Sequence, residues 1–223
     1  MSNIKVLTIS SLLVLGQFFT TDHTIKHQKQ FDALKLKNCQ SVMIVAHPDD
    51  ETIWGGNHLI KRKYLVVCLT NGDNKVRRKE FMNVMKATHN TGIILDYPDK
   101  TNGERDNWNK VRNNISNDIH YVLGKKKWKT VVTHNPDGEY GHIHHKMTSY
   151  IVRKQDNVDM NQLVYFGKYY KKKNLPKNLD HISKKDLTNK IALTKMYGSQ
   201  SKVMDHLGHM FKYENFVKAK DWR

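Results

Sequence analysis

Short apolar runs alternate with longer amphipathic segments from residue 41 onwards. The runs are wholly apolar, as in buried strands, whereas the segments between them repeat apolar residues at helical spacing. The predicted strands are residues 42–46, 64–70, 93–95, 130–134 and 163–166. The predicted helices are residues 51–62, 76–90, 108–123, 144–153 and 190–201. This alternation indicates a single α/β domain with a mostly parallel sheet and helices on both faces.

In a Rossmann-like sheet of this kind, ligands bind beyond the carboxyl ends of the strands. His47, Asn71 and His134 follow three of the predicted strands and are expected to emerge there. A polar loop over residues 96–107 is rich in turn-forming residues and is expected to form one wall of the resulting cleft. The pattern therefore places a ligand site at one edge of the sheet.

An apolar segment at residues 4–19 precedes this pattern. It is short for a full bilayer span, and its length is typical of a signal-peptide core or a marginal membrane anchor. We therefore divide the chain into an apolar N-terminal segment (residues 1–20), a linker (residues 21–38) and one domain (residues 39–223). The segment would make the protein membrane-associated or direct it to the secretory pathway. The alternative is a soluble, cytoplasmic protein with an apolar N-terminal helix.

The linker contains His23 and His27, which are four residues apart and would share one face of a helix. No third ligand is near them in the sequence, so a solvated pair is expected rather than a metal site. The two cysteines, Cys39 and Cys68, are too few for a disulfide framework. Both are expected to be reduced and structural.

The charge of the chain is strongly basic. The 223 residues include 38 Lys and Arg against 21 Asp and Glu, which gives a formal net charge of +17. Such an excess favours polyanionic partners, including nucleic acid, anionic lipid and phosphorylated substrates. The lysines are scattered, however, and no basic helix with interleaved aromatic residues is present, so nucleic-acid binding is the less favoured interpretation.

The closest grouping of potential catalytic and metal-binding side chains follows the first predicted strand, in residues 46–51, Ala-His-Pro-Asp-Asp-Glu. One imidazole and three carboxylates occupy five positions. Like charges this close raise one another's pKa and cost stability unless a cation or ordered hydrogen bonds compensate. A bound metal ion is the simplest explanation.

A second cluster, residues 135–145, follows the strand that ends at His134. Imidazoles and carboxylates are typical zinc ligands, and hydrolytic zinc sites keep one position open for water. His47 and Asp50 with one histidine of this cluster would supply three ligands. His142 and His145 would share a face at a helix start, so that one can bind metal while the other faces the substrate.

Further motifs occur along the chain: Gly55-Gly56, Thr-Asn-Gly-Asp at residues 70–73, Arg-Arg-Lys-Glu at 77–80, Tyr-Pro-Asp at 97–99 and Tyr-Gly-Ser-Gln at 197–200. Together with the two clusters, over residues 41–201, they resemble the zinc-dependent de-N-acetylases of the N-acetylglucosaminyl-phosphatidylinositol deacetylase (PIG-L/LmbE-like) family. The resemblance implies a zinc hydrolase, with another divalent metal as an alternative. Its reaction would remove the acetyl group from an N-acetylated amino sugar, giving a free amine and acetate.

The resemblance also implies a role for each matching residue. His47, Asp50 and His145 match the metal ligands. Asp49 matches the general base that deprotonates the attacking water, and its pKa is expected to be raised by burial and by Asp50 and Glu51.

Other matches concern the leaving group and the substrate. His142 matches the residue that stabilises the oxyanion and protonates the departing amine, and Tyr140 matches a tyrosine that polarises the acetyl carbonyl. Arg77, Asp99 and Asn71 are expected to bind the substrate. Arg77 matches a position associated with sugar or phosphate binding in relatives.

One residue departs from the family pattern. Relatives often carry Asp or Asn just before the last histidine, where it orients the first, and this chain has His144. A second imidazole cannot hold His142 protonated as a carboxylate would, although Asp137 is placed to substitute through its loop. His144 itself is expected at the surface. Glu51, at a helix start, is expected either to cap backbone N–H groups or to support the ligands.

The substrate class stays open among a glycolipid, a nucleotide sugar, a free glycoside and a glycan. The basic surface and the apolar segment favour a phosphorylated or lipid-linked acceptor slightly. The alternatives are a catalytically inactive sugar-binding module on the same fold and a basic nucleic-acid-binding protein, whose DNA binding would be salt-sensitive and would survive chelation.

Overall fold

The computed structural model describes residues 24–223. The predicted apolar segment at residues 4–19 and His23 lie outside this range. The described strands are β1 (Ser41–Val45), β2 (Tyr64–Thr70), β3 (Thr91–Tyr97), β4 (Lys100–Thr101), β5 (Glu104–Arg105), β6 (Thr130–Thr133), β7 (Leu163–Phe166) and β8 (Phe216–Lys218). Helix α1 covers residues 24–32. It is followed by α2 (Asp50–Lys61), α3 (Lys75–Thr88), α4 (Arg112–Gly124), α5 (Ile143–Arg153), α6 (Lys184–Thr194) and α7 (Ser201–Leu207).

Six strands form one sheet in the order β3-β2-β1-β6-β7-β8. All neighbouring pairs are parallel except β7 and β8, which are antiparallel. The remaining pair, β4 and β5, forms a small separate hairpin. The predicted α/β fold with a mostly parallel sheet is therefore confirmed.

Side chains of the central strands alternate between two cores. Val42 and Ile44 of β1 face a core that α1, α4 and α5 cover. Met43 and Val45 face the opposite core, which is covered by helices that include α2 and α3. Burial on both faces explains why these strands are mostly apolar in sequence, with polar residues at their ends. Cys39 and Cys68 are free and buried in these cores, as predicted.

The predicted linker over residues 21–38 is wrong for residues 24–32, which form helix α1. Phe31 is fully buried in the core beside the sheet. His27, predicted to be solvated, is 1% exposed. Its Nδ1 lies 2.6 Å from a carboxylate oxygen of Asp118, and its Nε2 lies 2.7 Å from one of Asp96. Apolar burial and these ion pairs attach α1 to the domain.

The single helix predicted at residues 190–201 is also wrong. Helix α6 ends at Thr194, and α7 begins at Ser201 after a short 3₁₀ turn. The break follows from Tyr197, whose side chain is 1% exposed and points into the core. Within residues 24–223, the structure contains no helix with the length and apolar character of a membrane span.

Candidate metal centre

The candidate site lies beyond the carboxyl ends of β1 and β6. Strands β2 and β3 lie on one side of this pair, and β7 and β8 lie on the other, so the strand order reverses here. Open α/β sheets bind their ligands at such reversals. A cavity of about 280 Å³ opens at this point. Among the predicted site residues, those lining it are His47, Asp49, Asp50, Asn71, Arg77, Asp99, Tyr140 and His142.

His145 lies behind the cavity wall and is fully buried. Its Nδ1 donates a hydrogen bond to Oε2 of Glu139 at 2.6 Å. Its Nε2 has no hydrogen-bond partner among the described residues and lies 3.2 Å from Oδ1 of Asp50. A histidine that donates through one nitrogen and leaves the other free has the arrangement of a metal ligand.

Glu139 fixes two imidazoles at once. Its Oε2 accepts from Nδ1 of His145 and from Nδ1 of His134, the latter at 2.9 Å, and its Oε1 accepts from the backbone N–H of Asn135. The loop reaches this position through two residues with positive φ, Gly138 at 69° and Glu139 at 54°. A Cβ at Gly138 would lie 2.7 Å from the backbone oxygen of His142, so this position requires glycine.

His134 is close to the candidate ligands, but both of its ring nitrogens already have hydrogen-bond partners. The backbone N–H of Ala46 donates to its Nε2 at 3.0 Å. Its Nδ1 donates to Glu139. We therefore assign His134 a structural role, although it forms a potential metal-binding group with Asp50 and His145.

His47 and Asp50 complete a compact set of donors. Nδ1 of His47 lies 3.3 Å from Oδ2 of Asp50, and the backbone N–H of His47 donates to the same oxygen at 2.8 Å. One ring nitrogen each of His47, His142 and His145 lies within 4.8 Å of the others. Burial lowers the pKa of His47 to about 4, which keeps the imidazole neutral as a metal ligand requires.

Burial lowers the pKa of His145 on its own, but Asp50 and Glu139 outweigh this effect and raise it to about 10. The carboxylates of Asp50 and Glu139 therefore stabilise a positive charge on this imidazole. A metal ion on Nε2 would supply that charge in place of the proton. Groups of this geometry and charge are able to hold a metal ion.

Asp49 stands at the junction of β1 and α2. It is 5% exposed and has a φ of 120°, a strained value for a residue with a side chain. Burial and the neighbouring charges of Asp50 and Glu51 raise its pKa well above the ordinary value, against the opposing effect of Arg77. This is the direction predicted for the pKa of Asp49.

Arg77 contacts Asp49 directly. Its Nη2 lies 3.2 Å from Oδ2 of Asp49 and also donates to the backbone oxygen of Pro48. The adjacent Arg78 is exposed and donates to the backbone of Gly72 instead. The structure thus identifies Arg77 as the arginine of this pair that reaches the site.

His142 and Tyr140 form another part of the cavity wall. Nδ1 of His142 accepts the backbone N–H of His144 at 3.2 Å, so the neutral ring carries its proton on Nε2. Burial and the neighbouring imidazoles of His145 and His47 lower its pKa to about 2. Burial and nearby carboxylates raise the pKa of Tyr140, whose phenol therefore keeps its proton. Both residues are hydrogen-bond donors at the cavity.

The prediction that His144 lies at the surface is wrong. Its side chain is fully buried, and its ring stacks on Trp108 with centroids 4.0 Å apart. Asp137, considered as a substitute for the missing carboxylate, is exposed. Sequence reasoning missed this packing because Trp108 belongs to a loop distant in the chain.

Glu51 accepts hydrogen bonds from the backbone N–H of Asp49 and from the hydroxyls of Thr52 and Tyr197. Glu51 therefore holds the backbone of Asp49 in place. Burial raises the pKa of the Glu51 carboxyl. The hydroxyl of Tyr197 is 2.5 Å from Oε1 of Glu51, which joins the first and last motifs of the chain.

Two further predicted residues take defined positions. Asn71, at a φ of 67°, donates to Oγ1 of Thr70 and lines the cavity. Asp99 comes from the predicted loop wall, and its Oδ1 lies 3.2 Å from Nε2 of His47. Arg105, which pairs with Asp99, and Gln200 also line the cavity, but their positions carried no clear sequence signal.

Two comparisons with known proteins bear on this site. Residues 42–155 match the PIG-L family, described as GlcNAc-PI de-N-acetylase. The matched range contains both loops that form the site. The chain is also 31% identical over 227 aligned positions to an uncharacterized protein of Acanthamoeba polyphaga mimivirus, covering 94% of this chain and 91% of that protein.

Proposed function

Because this chain belongs to the GlcNAc-PI de-N-acetylase family, we propose that it is a zinc-dependent hydrolase that removes the acetyl group from an N-acetylated amino sugar. The observation that carries the proposal is the buried cluster formed by Nε2 of His145, the carboxylate of Asp50 and Nδ1 of His47. Nε2 of His145 makes no regular hydrogen bond and faces Oδ1 of Asp50 at 3.2 Å, and a metal ion between these atoms would replace the proton that the carboxylates hold there.

The distances between these donors fit a zinc site. Zinc bonds to nitrogen and oxygen are about 2.0–2.1 Å long, so two ligands of a tetrahedral ion lie about 3.3 Å apart. Oδ2 of Asp50 lies 3.3 Å from Nδ1 of His47, and Oδ1 of Asp50 lies 3.2 Å from Nε2 of His145. His47, Asp50 and His145 would therefore hold the ion. When bound, zinc supplies a Lewis acid for the acetyl carbonyl and favours ionisation of a water molecule.

Asp49 is the proposed general base. Its raised pKa suits a carboxylate that must accept a proton from water near neutral pH. The contact with Arg77 and the strained backbone hold the carboxylate in one place at the cavity. Arg77 would also limit the rise in the pKa of Asp49, so that the base is ionised before reaction.

His142 and Tyr140 are the proposed donors to the reacting carbonyl. The neutral ring of His142 carries its proton on Nε2, from which it can donate a hydrogen bond to the developing oxyanion. This role needs no carboxylate partner, since a neutral imidazole donor suffices for an oxyanion. A neutral ring cannot also give up that proton, so the amine would leave with the proton that Asp49 accepts from water. Tyr140 would polarise the acetyl carbonyl through its hydroxyl.

The proposed substrate carries an N-acetylated sugar, for which Arg77, Asp99 and Asn71 are the binding residues. These side chains line the same cavity as the donors and offer charged and amide groups suited to sugar hydroxyls or a phosphate. The net charge of +17 supports a phosphorylated or lipid-linked acceptor.

Metal analysis and acetate release test the proposal. We expect about one zinc ion per chain, its loss in Asp50→Ala, and retention in Asp49→Ala with loss of acetate release from N-acetylglucosamine-containing substrates. The exposed Asp73→Ala serves as the matched control and should keep both properties.

Some outcomes would contradict the proposal. A wild-type protein without metal would contradict the catalytic centre, and full activity in Asp49→Ala would contradict the assignment of the base. Sugar binding without acetate release would indicate an inactive binding module. DNA binding that is salt-sensitive and unaffected by chelator would indicate a nucleic-acid-binding protein.

A further inference from the structure

A chain of hydrogen bonds connects a loop carbonyl to His47 through His144. Nε2 of His144 lies 2.6 Å from the backbone oxygen of Asp106, and its Nδ1 lies 3.1 Å from Nε2 of His47. The His144 ring is fully buried and stacked on Trp108. Stacking on Trp108 and the contacts of both ring nitrogens therefore fix the position and orientation of the His144 ring.

These contacts determine which nitrogen of each ring carries a proton. A carbonyl oxygen only accepts, so Nε2 of His144 must donate to Asp106. In the neutral ring, which burial favours, Nδ1 of His144 is then an acceptor, and Nε2 of His47 donates to it. Oδ1 of Asp99, 3.2 Å from the same nitrogen of His47, is also an acceptor. Nε2 of His47 thus has two acceptors, at 3.1 and 3.2 Å. Nδ1 faces one, Oδ2 of Asp50 at 3.3 Å, which already accepts the backbone N–H of His47. The balance of these contacts places the proton on Nε2.

A proton on Nε2 leaves Nδ1 of His47 as the free donor atom. That nitrogen lies on the other side of the ring, 3.3 Å from Oδ2 of Asp50. We propose that His144 is a positioning residue that fixes the tautomer of His47, so that Nδ1 faces the metal. The inference rests on the proposed metal centre and deepens it.

The side chain of His144 supports His47 and not His142. In this structure, His142 receives only the backbone N–H of His144, whereas the His144 side chain reaches His47. The buried imidazole of His144 therefore supports a proposed metal ligand rather than the proposed oxyanion donor.

Two variants separate the hydrogen bond from the packing. His144→Phe keeps an aromatic ring against Trp108 but lacks both nitrogens. His144→Asn loses the ring but places an amide oxygen near the position of Nδ1, where it can accept from His47. Zinc affinity is measured by competition with a chromophoric chelator. The tautomer of His47 is read from long-range ¹H–¹⁵N correlation spectra of the metal-free proteins.

In the wild type, we expect His47 to be protonated on Nε2. In His144→Phe, zinc should bind about 10–100-fold more weakly, because loss of an outer hydrogen-bond partner typically has this effect, and His47 should populate both tautomers. His144→Asn should restore the wild-type tautomer and most of the affinity. Circular dichroism confirms that each variant is folded.

The outcomes distinguish this inference from the proposed function. A wild type that binds no zinc would overturn the metal centre and the inference with it. Tight zinc binding by the wild type and by His144→Phe alike would overturn the inference alone. Weaker binding in His144→Phe with an unchanged His47 tautomer would assign His144 to packing and would also overturn it.

Discussion

The substitution Glu139→Gln tests how the buried carboxylate supports the candidate metal centre. Glu139 accepts three N–H groups, from His134, His145 and the backbone of Asn135. Glutamine has the same shape but only one side-chain oxygen. In either orientation of the amide, its NH₂ group faces at least one N–H donor, so at least one buried donor loses its acceptor.

The magnitude follows from these contacts. The buried donor left without a partner should lower the free energy of unfolding by about 1–3 kcal/mol. Loss of the charged partner of His145 should weaken zinc binding about 10–100-fold, equivalent to about 1.4–2.7 kcal/mol. Stability is measured by urea denaturation of the metal-free protein, and affinity by chelator competition.

The pH dependence supplies a sharper test. Zinc must displace the proton of His145, so affinity should fall about tenfold for each pH unit below the pKa, which is about 10 in the wild type. Glu139→Gln lowers this pKa, so the dependence should be shallower between about pH 7 and 9. The exposed Glu104→Gln is the matched control. Wild-type affinity and pH dependence in Glu139→Gln would refute the role of the carboxylate.

Two further predictions concern buried ion pairs outside the site. Burial lowers the pKa of His27, but Asp118 and Asp96 raise it to about 9 overall, so its stabilising effect is fully present below about pH 6.5 and is lost as the pH rises through 9. The free energy of unfolding should therefore fall over that range in the wild type and much less in His27→Gln, and equal slopes in urea denaturation would contradict this. Lys190 is fully buried with Nζ 2.7 Å from Oε2 of Glu214, so Lys190→Met should cost about 3–5 kcal/mol by the same assay. The double variant with Glu214→Gln should recover part of that loss, whereas additive losses would argue against the pair.

The central strands were predictable because a strand that is buried on both faces of the sheet appears in the sequence as a short, mostly apolar run. The predicted bounds of β2 and β7 agree with the structure at both ends. Strand β8 was missed because it has three residues, none of them fully buried. The break between α6 and α7 was missed because it depends on the contact between Tyr197 and Glu51, which are distant in sequence.

For the site, the sequence predicted which residues converge but not how they are supported. The carboxyl ends of β1 and β6 bring His47 and His145 together as the parallel pattern implies. The partners of their second nitrogens, Glu139 and His144, depend on loop geometry with positive φ values and on packing against Trp108. No periodicity or spacing in the chain carries that information.

The pairing of β1 with both β2 and β6 has a consequence for biosynthesis. Strand β2 follows β1 closely in the chain, whereas β6 begins only at Thr130, and the histidines that balance Asp50 come later still. Domains generally fold as units during synthesis, and distant pairings form slowly. A nascent chain that ends before β6 would thus carry Arg77, the partner of Asp49, but not the histidines that balance Asp50. The edge of β1 that pairs with β6 should therefore stay unpaired until β6 has been synthesised. The metal centre should be among the last parts of the domain to form.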